Sequence, residues 1–186
     1  MQKFLGVVFE NTNGIILVNK WTKGHIDPWW NDAFKSLPYN YQNIKNTWDA
    51  ERWDREGYHG VTYGGSSYNS KDMENHLPEY ALPFLTMFDW KNVGLVFYKM
   101  DTCQTLPLHQ DAYTTYAKKF NLSIDDIWRC VVFLEDWKSG HYFEIDNCPL
   151  MPWQAGDWVA WNSLVPHHAG NYGVEPRYTM QITGNV

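Results

Sequence analysis

The sequence predicts a mainly β fold, a sandwich or jelly roll, on three observations. From Asn92 onward it reads as short strands at regular spacing. The breaks between them carry Gly, Pro and Asp, as in WKSG at 137–140 and QAGD at 154–157. Aromatic residues make up 17% of the chain, from 11 Trp, 12 Tyr and 9 Phe, and such side chains suit half-buried pleated surfaces. No regular spacing among them marks a stacking platform. A β-rich core therefore accounts for most of them, ahead of an aromatic-lined cleft.

The elements follow in chain order. Residues 3–9 and 15–18 are rich in β-formers and flank NTNG, where Asn13-Gly14 takes positive φ at little cost, so a hairpin is expected. Asp27 before Pro28 reads as a helix N-cap, with the helix running to Ser36 and stopping before Pro38. The charged stretch 43–55 reads as a surface helix ended by Gly57. Residues 61–70 read as a strand entering a Gly/Ser loop at 64–67, without the lysine of a phosphate-binding loop. Residues 71–81 read as a short helix interrupted by Pro78. Strands are then expected over 93–100, 104–109, 127–134, 141–146, 157–162 and 177–183, with one helical insertion, TTYAKKF, at 114–120. The 186 residues fit a single domain, in which 1–91 buttress a core formed by 92–186.

The formal charge of -6 and the lack of any basic run argue against a general nucleic-acid or membrane-surface binder. Cys103, Cys130 and Cys148 are odd in number and show no CxxC spacing, so neither a disulfide framework nor a zinc-thiolate site is expected. Cys130, inside CVVFL, reads as a small buried hydrophobe. FLGVVF is interrupted by Glu10 with no small-residue cleavage site after it, and no stretch approaches the length of a membrane span. A cytoplasmic, reducing setting is the expectation.

The chemistry concentrates in the last 80 or so residues. LPLHQD sets His109 and Asp111 two apart, so both can face one side from the end of a strand. PHHAGNYGVEPRYT then supplies His167 or His168, with Arg177 and Thr179 behind. Two imidazoles and one carboxylate on one face of a metal leave the opposite positions open, the ligand set of non-haem Fe(II) oxygenases. A permanently charged arginine fork nearby suits a co-substrate that carries a carboxylate. His25 and Asp27 repeat the two-apart spacing, but there the helix cap explains the aspartate. His59, His76 and His141 have Asn69, Thr86 and Met151 ten positions on, whereas His167 has Arg177.

This order of residues resembles the Fe(II)/2-oxoglutarate-dependent dioxygenase superfamily, over residues 93–184. The pattern is a histidine, any residue and an acid, then a distant histidine, then an arginine about ten positions later. RYT also carries the hydroxyl residue two after the arginine, and RCVVFLEDWKSGHYFEI and AGDWVAW resemble strands of prolyl- and aspartyl/asparaginyl-hydroxylase-like branches, phage-type members included. The resemblance implies a double-stranded β-helix, cupin-like, with N-terminal helices and a hairpin packed against it. It implies Fe(II) held by His109, Asp111 and His167, with Arg177 and Thr179 on the distal carboxylate of 2-oxoglutarate. Arg129 is where some relatives place a second co-substrate contact; its alternative is a surface strand arginine. Tyr98 is a further possible contact, with a core tyrosine preferred. Of the doublet, His167 follows a proline as the ligand does in many relatives, while His168 at nine from Arg177 stays open. The implied reaction couples O2 and decarboxylation of 2-oxoglutarate to hydroxylation of a substrate the sequence does not name. Asp111 speaks against a halogenase, which lacks that carboxylate. Two rival readings remain: a cupin-type metal enzyme without 2-oxoglutarate, and a non-catalytic aromatic-rich binding or structural protein. The GGSS stretch at 64–67 and some Trp residues are expected to wall the substrate.

Overall fold

A computed structural model describes residues 8–10, 16–18, 20–43, 47–59, 62–69 and 77–186. The first strands, β1 (Val8–Glu10) and β2 (Ile16–Val18), pair antiparallel as a separate ribbon. The Asn13-Gly14 turn lies outside the described residues. Next come β3 (Trp21–His25), β4 (Asn40–Asn43), helix α1 (Thr47–Arg55) and β5 (Thr62–Asn69). The rest runs β6 (Lys91–Met100), β7 (Gln104–His109), helix α2 (Thr114–Phe120), β8 (Ile127–Phe133), β9 (His141–Ile145), β10 (Cys148–Pro149), β11 (Asp157–Asn162), β12 (His167–Asn171) and β13 (Arg177–Asn185).

One face of the molecule is the run β5-β6-β13-β8-β11-β3, with β4 also on β5, and the other is β10-β9-β12-β7. A short parallel pairing of β5 with β7 joins them. From β6 to β13 the chain passes back and forth between these sheets, so that each turn adds a strand to both. That winding is the jelly roll the strand pattern predicts.

The central strands of the larger sheet, β6, β13, β8 and β11, are buried on both faces, and residue parity sorts their side chains. On the outer face, Leu95, Phe97, Cys130, Val132, Met180 and Ile182 pack with Phe34 and Phe84. On the inner face, Tyr98, Met100, Val131, Phe133, Val159 and Trp161 meet Phe143 and Ile145 of the smaller sheet. The same inner parity on β13 gives Arg177, Thr179, Gln181 and Thr183. Cross-strand register aligns two inner rows, Trp161–Arg129–Thr183–Gly94 and Phe133–Thr179–Tyr98. Cys130 is fully buried, its thiol pushed up by that burial, and all three cysteines are free.

Three expectations are corrected. Asp27 caps no helix: the helical turn is Asp32–Ser36, capped by Asn31, whose side chain accepts from the Ala33 N–H at 2.9 Å. The preceding segment stays extended because the Trp29 and Trp30 indole N–H groups donate to the Tyr80 and Leu134 carbonyls at 2.8 and 2.9 Å. GGSS at 64–67 is not a loop but the middle of β5, paired on both sides by β4 and β6. Of the helix expected over 71–81, residues 70–76 lie outside the described residues, and in the described part Leu77 and Pro78 are not helical but precede a 3-10 turn at Glu79–Thr86. The first half also supplies strands β3, β4 and β5 to the large sheet, beyond helices and a hairpin. Among the described residues no helix is long and apolar enough to cross a membrane.

Two glycines on this sheet differ in what they permit. A Cβ on Gly65 would meet the Lys99 carbonyl and the Tyr98 ring, each at 2.7 Å, whereas one on Gly94 would meet nothing within 4 Å. Gly65→Ala is expected to destabilise by about 1–3 kcal/mol, the usual cost of overpacking, and Gly94→Ala to lie within about 0.5 kcal/mol of wild type. Urea midpoints of the two variants check this; equal midpoints would refute the close approach of β5 to β6.

Candidate metal centre

His109 closes β7 and His167 opens β12, and the two are direct antiparallel partners. Their rings lie 4.2 Å apart between centroids. Asp111 follows just past β7, and its Oδ2 is 3.6 Å from His167 Nε2. One ligand atom from each of His109, Asp111 and His167 lies within 4.8 Å of the others.

The backbone selects the tautomers. His109 Nδ1 donates to the Pro107 carbonyl at 2.8 Å and His167 Nδ1 to the Val165 carbonyl at 2.9 Å. A carbonyl only accepts, so each Nδ1 carries a proton, and in the neutral ring the lone pair is then on Nε2. Burial, then the adjacent His109 ring, pushes His167 down to about 3 against the pull of Asp111. A neutral imidazole with its outer nitrogen tied to a carbonyl is the form a metal ligand needs.

Asp111 is held from behind. Tyr113 donates its hydroxyl to Oδ2 at 2.8 Å, and the Arg129 guanidinium pairs with the same oxygen at 3.1 Å. Burial alone would raise the carboxyl; Arg129, the two imidazoles and Tyr113 outweigh it and hold Asp111 at about 2. Burial also raises the Tyr113 hydroxyl, so it remains a donor. Tyr113 reaches its place with φ 46°, left-handed for a non-glycine residue, and such strain persists where surrounding contacts enforce it. The Arg129 guanidinium lies 5.0 Å from the Tyr113 ring centroid. Arg129 is therefore no surface strand arginine.

His168 faces the other side of β12. Its Nε2 is 3.2 Å from both Thr105 Oγ1 and the Tyr172 hydroxyl, and its ring meets Tyr142 edge-on at 4.9 Å. The doublet thus divides, with His167 inward among the cluster and His168 in an outer aromatic patch.

Arg177 opens β13, only 3% exposed. Its guanidinium sits 5.5–5.8 Å from the ring centroids of Phe133, Phe143 and Trp153, and Nη1 donates to Met100 Sδ at 3.3 Å. It forms no ion pair among the described residues, and its Nε has no hydrogen-bond partner there. Burial lowers it to about 10, with Tyr98 opposing, so it stays charged at neutral pH. Thr179 is two residues on, on the same strand face and fully buried. Burial raises the Tyr98 hydroxyl, and in the strand register Tyr98 falls between the rows of Arg177 and Arg129. Two further buried donors on this inner face, Arg129 Nε and Trp161 Nε1, also lack partners among the described residues.

The expected residues therefore divide into a His109–Asp111–His167 cluster backed by Arg129, and an Arg177–Thr179 pair deeper along the sheet. Tyr113 and the aromatic walls of Arg177 carried no sequence signal beyond the high aromatic content. The GGSS stretch lies inside β5, with Gly65 under the Tyr98 ring.

No protein-family model matches the sequence, and no curated protein matches it. Among solved structures, the fold is similar to that of a prolyl-4-hydroxylase from Pseudomonas putida. That match has a TM-score of 0.56 and 15% identity, over 89% of this chain and 92% of that one. A protein with a double-stranded β-helix domain from Klebsiella pneumoniae matches at a TM-score of 0.36 and 13% identity, over 53% of this chain and 72% of that one. A cupin protein from Bacteroides fragilis matches at 0.36 and 12%, over 54% and 72%. At such identities the likeness to the prolyl-4-hydroxylase shows the fold alone, and the winding of β6 to β13 is itself that of a mainly β double-stranded β-helix.

His109, Asp111 and His167 have the donor set and the tautomers to bind a divalent transition metal. Tyr113→Phe is expected to weaken Mn(II) binding by about 10–100-fold, as loss of a hydrogen bond behind a ligand does, with an unchanged circular dichroism spectrum. His167→Ala should lose the metal and His168→Ala should keep it. Loss in His168→Ala with retention in His167→Ala, by electron paramagnetic resonance titration, would move the site to the other face.

Proposed function

We propose that the protein is an Fe(II)- and 2-oxoglutarate-dependent dioxygenase, a hydroxylase acting on an unidentified substrate. The observation that carries this reading is the buried Arg177 guanidinium, without an ion pair among the described residues, on the inner face of the larger sheet, with a His-Asp-His cluster on the smaller sheet that packs against it. A buried cation without a counter-charge is costly, and a dicarboxylate with one end at the metal would supply the missing anion.

In this reading His109, Asp111 and His167 hold Fe(II). Iron with 2-oxoglutarate supplies O2 activation coupled to decarboxylation of the co-substrate to succinate and CO2. Arg177 binds the distal carboxylate through its planar fork and Thr179 donates to it. Phe133, Phe143 and Trp153 keep water from that ion pair, which strengthens it. Tyr98 packs in the core of the inner face, the core tyrosine preferred from the sequence. Arg129 and Tyr113 fix the Asp111 carboxylate. The charge of Arg129 is engaged there, so the second co-substrate contact expected of it falls to its unpartnered Nε. A cupin-type metal enzyme without an anionic co-substrate leaves Arg177 unexplained, and a non-catalytic sandwich leaves the cluster unexplained. The likeness to a prolyl-4-hydroxylase is compatible with this chemistry but names no substrate, since one fold hosts many.

Anaerobic addition of Fe(II) and 2-oxoglutarate should produce the weak visible charge-transfer band of an iron-bound 2-oxo acid; folded protein without that band would remove the proposal. Arg177→Ala should weaken 2-oxoglutarate binding by about thirty-fold or more, from a loss of roughly 2–5 kcal/mol at about 1.4 kcal/mol per decade. Fe(II) affinity should hardly change, and Arg177→Lys should rescue in part because it keeps charge but not the fork. An unchanged 2-oxoglutarate titration in Arg177→Ala would leave the metal site standing and take away the co-substrate.

A further inference from the structure

A cavity of about 580 Å³ opens beside Asp111, between the end of the inner face and α2, a size usual for small-molecule sites. Its floor is the far end of the cross-strand row Arg129–Thr183–Gly94. Gly94 offers no side chain there and has open space above it. The opposite wall is aromatic: Tyr113, Tyr116 and Phe120, from α2 and the residue before it. Tyr116 clamps that wall to β6, its hydroxyl donating to the Asn92 carbonyl at 2.9 Å, and its ring lies 4.8 Å from that of Phe120. Aromatic side chains lining one cavity with an uncovered glycine leave room for a flat, apolar body.

The charges along the slot are Asp111, Arg129 and Lys119. The first two neutralise each other at 3.1 Å. Lys119, at the last turn of α2, forms no ion pair among the described residues, and its ammonium lies 5.0 Å from the Phe120 ring centroid. In a chain of net charge -6, this slot carries a surplus positive charge at the end away from Asp111. A seven-residue helix spans about 10 Å, which separates the two ends by the length of a small aromatic acid.

We propose that the slot binds the substrate, and that the substrate is a small organic anion with a flat, apolar body, its carboxylate or phosphate at Lys119 and its body between Gly94 and the rings of Tyr113, Tyr116 and Phe120. This rests on the proposed function, with the reacting end of the slot at Asp111, the member of the His109–Asp111–His167 cluster that lines it. Lys119 and Gly94 set specificity; neither touches the co-substrate.

The test measures binding by calorimetry, with no iron or 2-oxoglutarate present. The probes are 3-phenylpropionate, its amide, 3-phenylpropylammonium and phenyl phosphate. Wild type should prefer 3-phenylpropionate to the amide by about two- to fivefold, the size of one exposed ion pair, and reject the ammonium. Lys119→Gln should erase that preference and Lys119→Arg keep it. Gly94→Leu should abolish binding of all probes by filling the slot. The stronger of 3-phenylpropionate and phenyl phosphate assigns the anion as carboxylate or phosphate. Arg177→Ala must leave these affinities unchanged; a loss there would mean capture at the deeper arginine and overturns the proposal. Equal affinities, preference for the ammonium, no binding at millimolar concentrations, or a preference surviving in Lys119→Gln each overturn it too. If the charge-transfer band is absent but the Lys119-dependent preference is present, the co-substrate reading fails and the slot stands.

Discussion

A guanidinium held dry between two sheets is the constraint on which this interior depends. Arg177 is buried with no carboxylate among the described residues, in a setting where an isolated ion is strongly disfavoured. Three aromatic rings and a thioether around it offset part of that cost through cation–π and soft contacts. Those rings come from both sheets, Phe133 on one and Phe143 on the other, with Trp153 in the connection after β10. Two stacked sheets with large aromatic inner residues are what can hold such a charge still. Much of the aromatic content of the chain makes sense in that light: it forms a core, and at one point the core is also the wall of a charged site.

The second buried charge is treated in the opposite way. Asp111 has a full counter-ion in Arg129 and a hydroxyl from Tyr113 on the same oxygen. A paired carboxylate with a fixed rotamer is a rigid ligand, while an unpaired guanidinium is an open binding capacity. The two arginines lie at opposite ends of one inner face, with Tyr98 between their rows. The arrangement gives that face a polarity from a paired end to an unpaired end, which in the proposed function is what a dicarboxylate co-substrate would use.

Much of the jelly roll was legible in the sequence because its strands announce themselves locally. The bounds of β7, β11 and α2 coincide with the expected 104–109, 157–162 and 114–120. Those runs are flanked by turn residues or change hydropathy period abruptly. What failed depended on distant partners. β12 is HHAGN, small and polar, and is a strand only because β9 and β7 pair it on both sides. GGSS looks like a loop by composition, yet glycine is what lets β5 come close to β6 under the Tyr98 ring. Asp27-Pro28 has the chemistry of a helix start, but two tryptophan N–H bonds to remote carbonyls keep that segment extended. In the site, the spacing of His109, Asp111, His167 and Arg177 was visible, and strand parity explains why it could be. The support behind it was not: Tyr113 reaches Asp111 through a left-handed backbone that no spacing rule encodes.

The helical insertion shows how a common fold acquires a particular pocket. Nothing in the winding of β6 to β13 requires α2 between β7 and β8. Its effect is local: Asp111, where the chain leaves β7, Tyr113 behind it, and Tyr116 clamped to the start of β6 all belong to one short connection. A change in that connection therefore alters the cavity and the support of a metal-ligand candidate together. Residues further along α2, such as Lys119, line the cavity without touching that support. Variation can therefore tune what enters the slot without disturbing what holds Asp111, provided Tyr113 and Tyr116 stay in place.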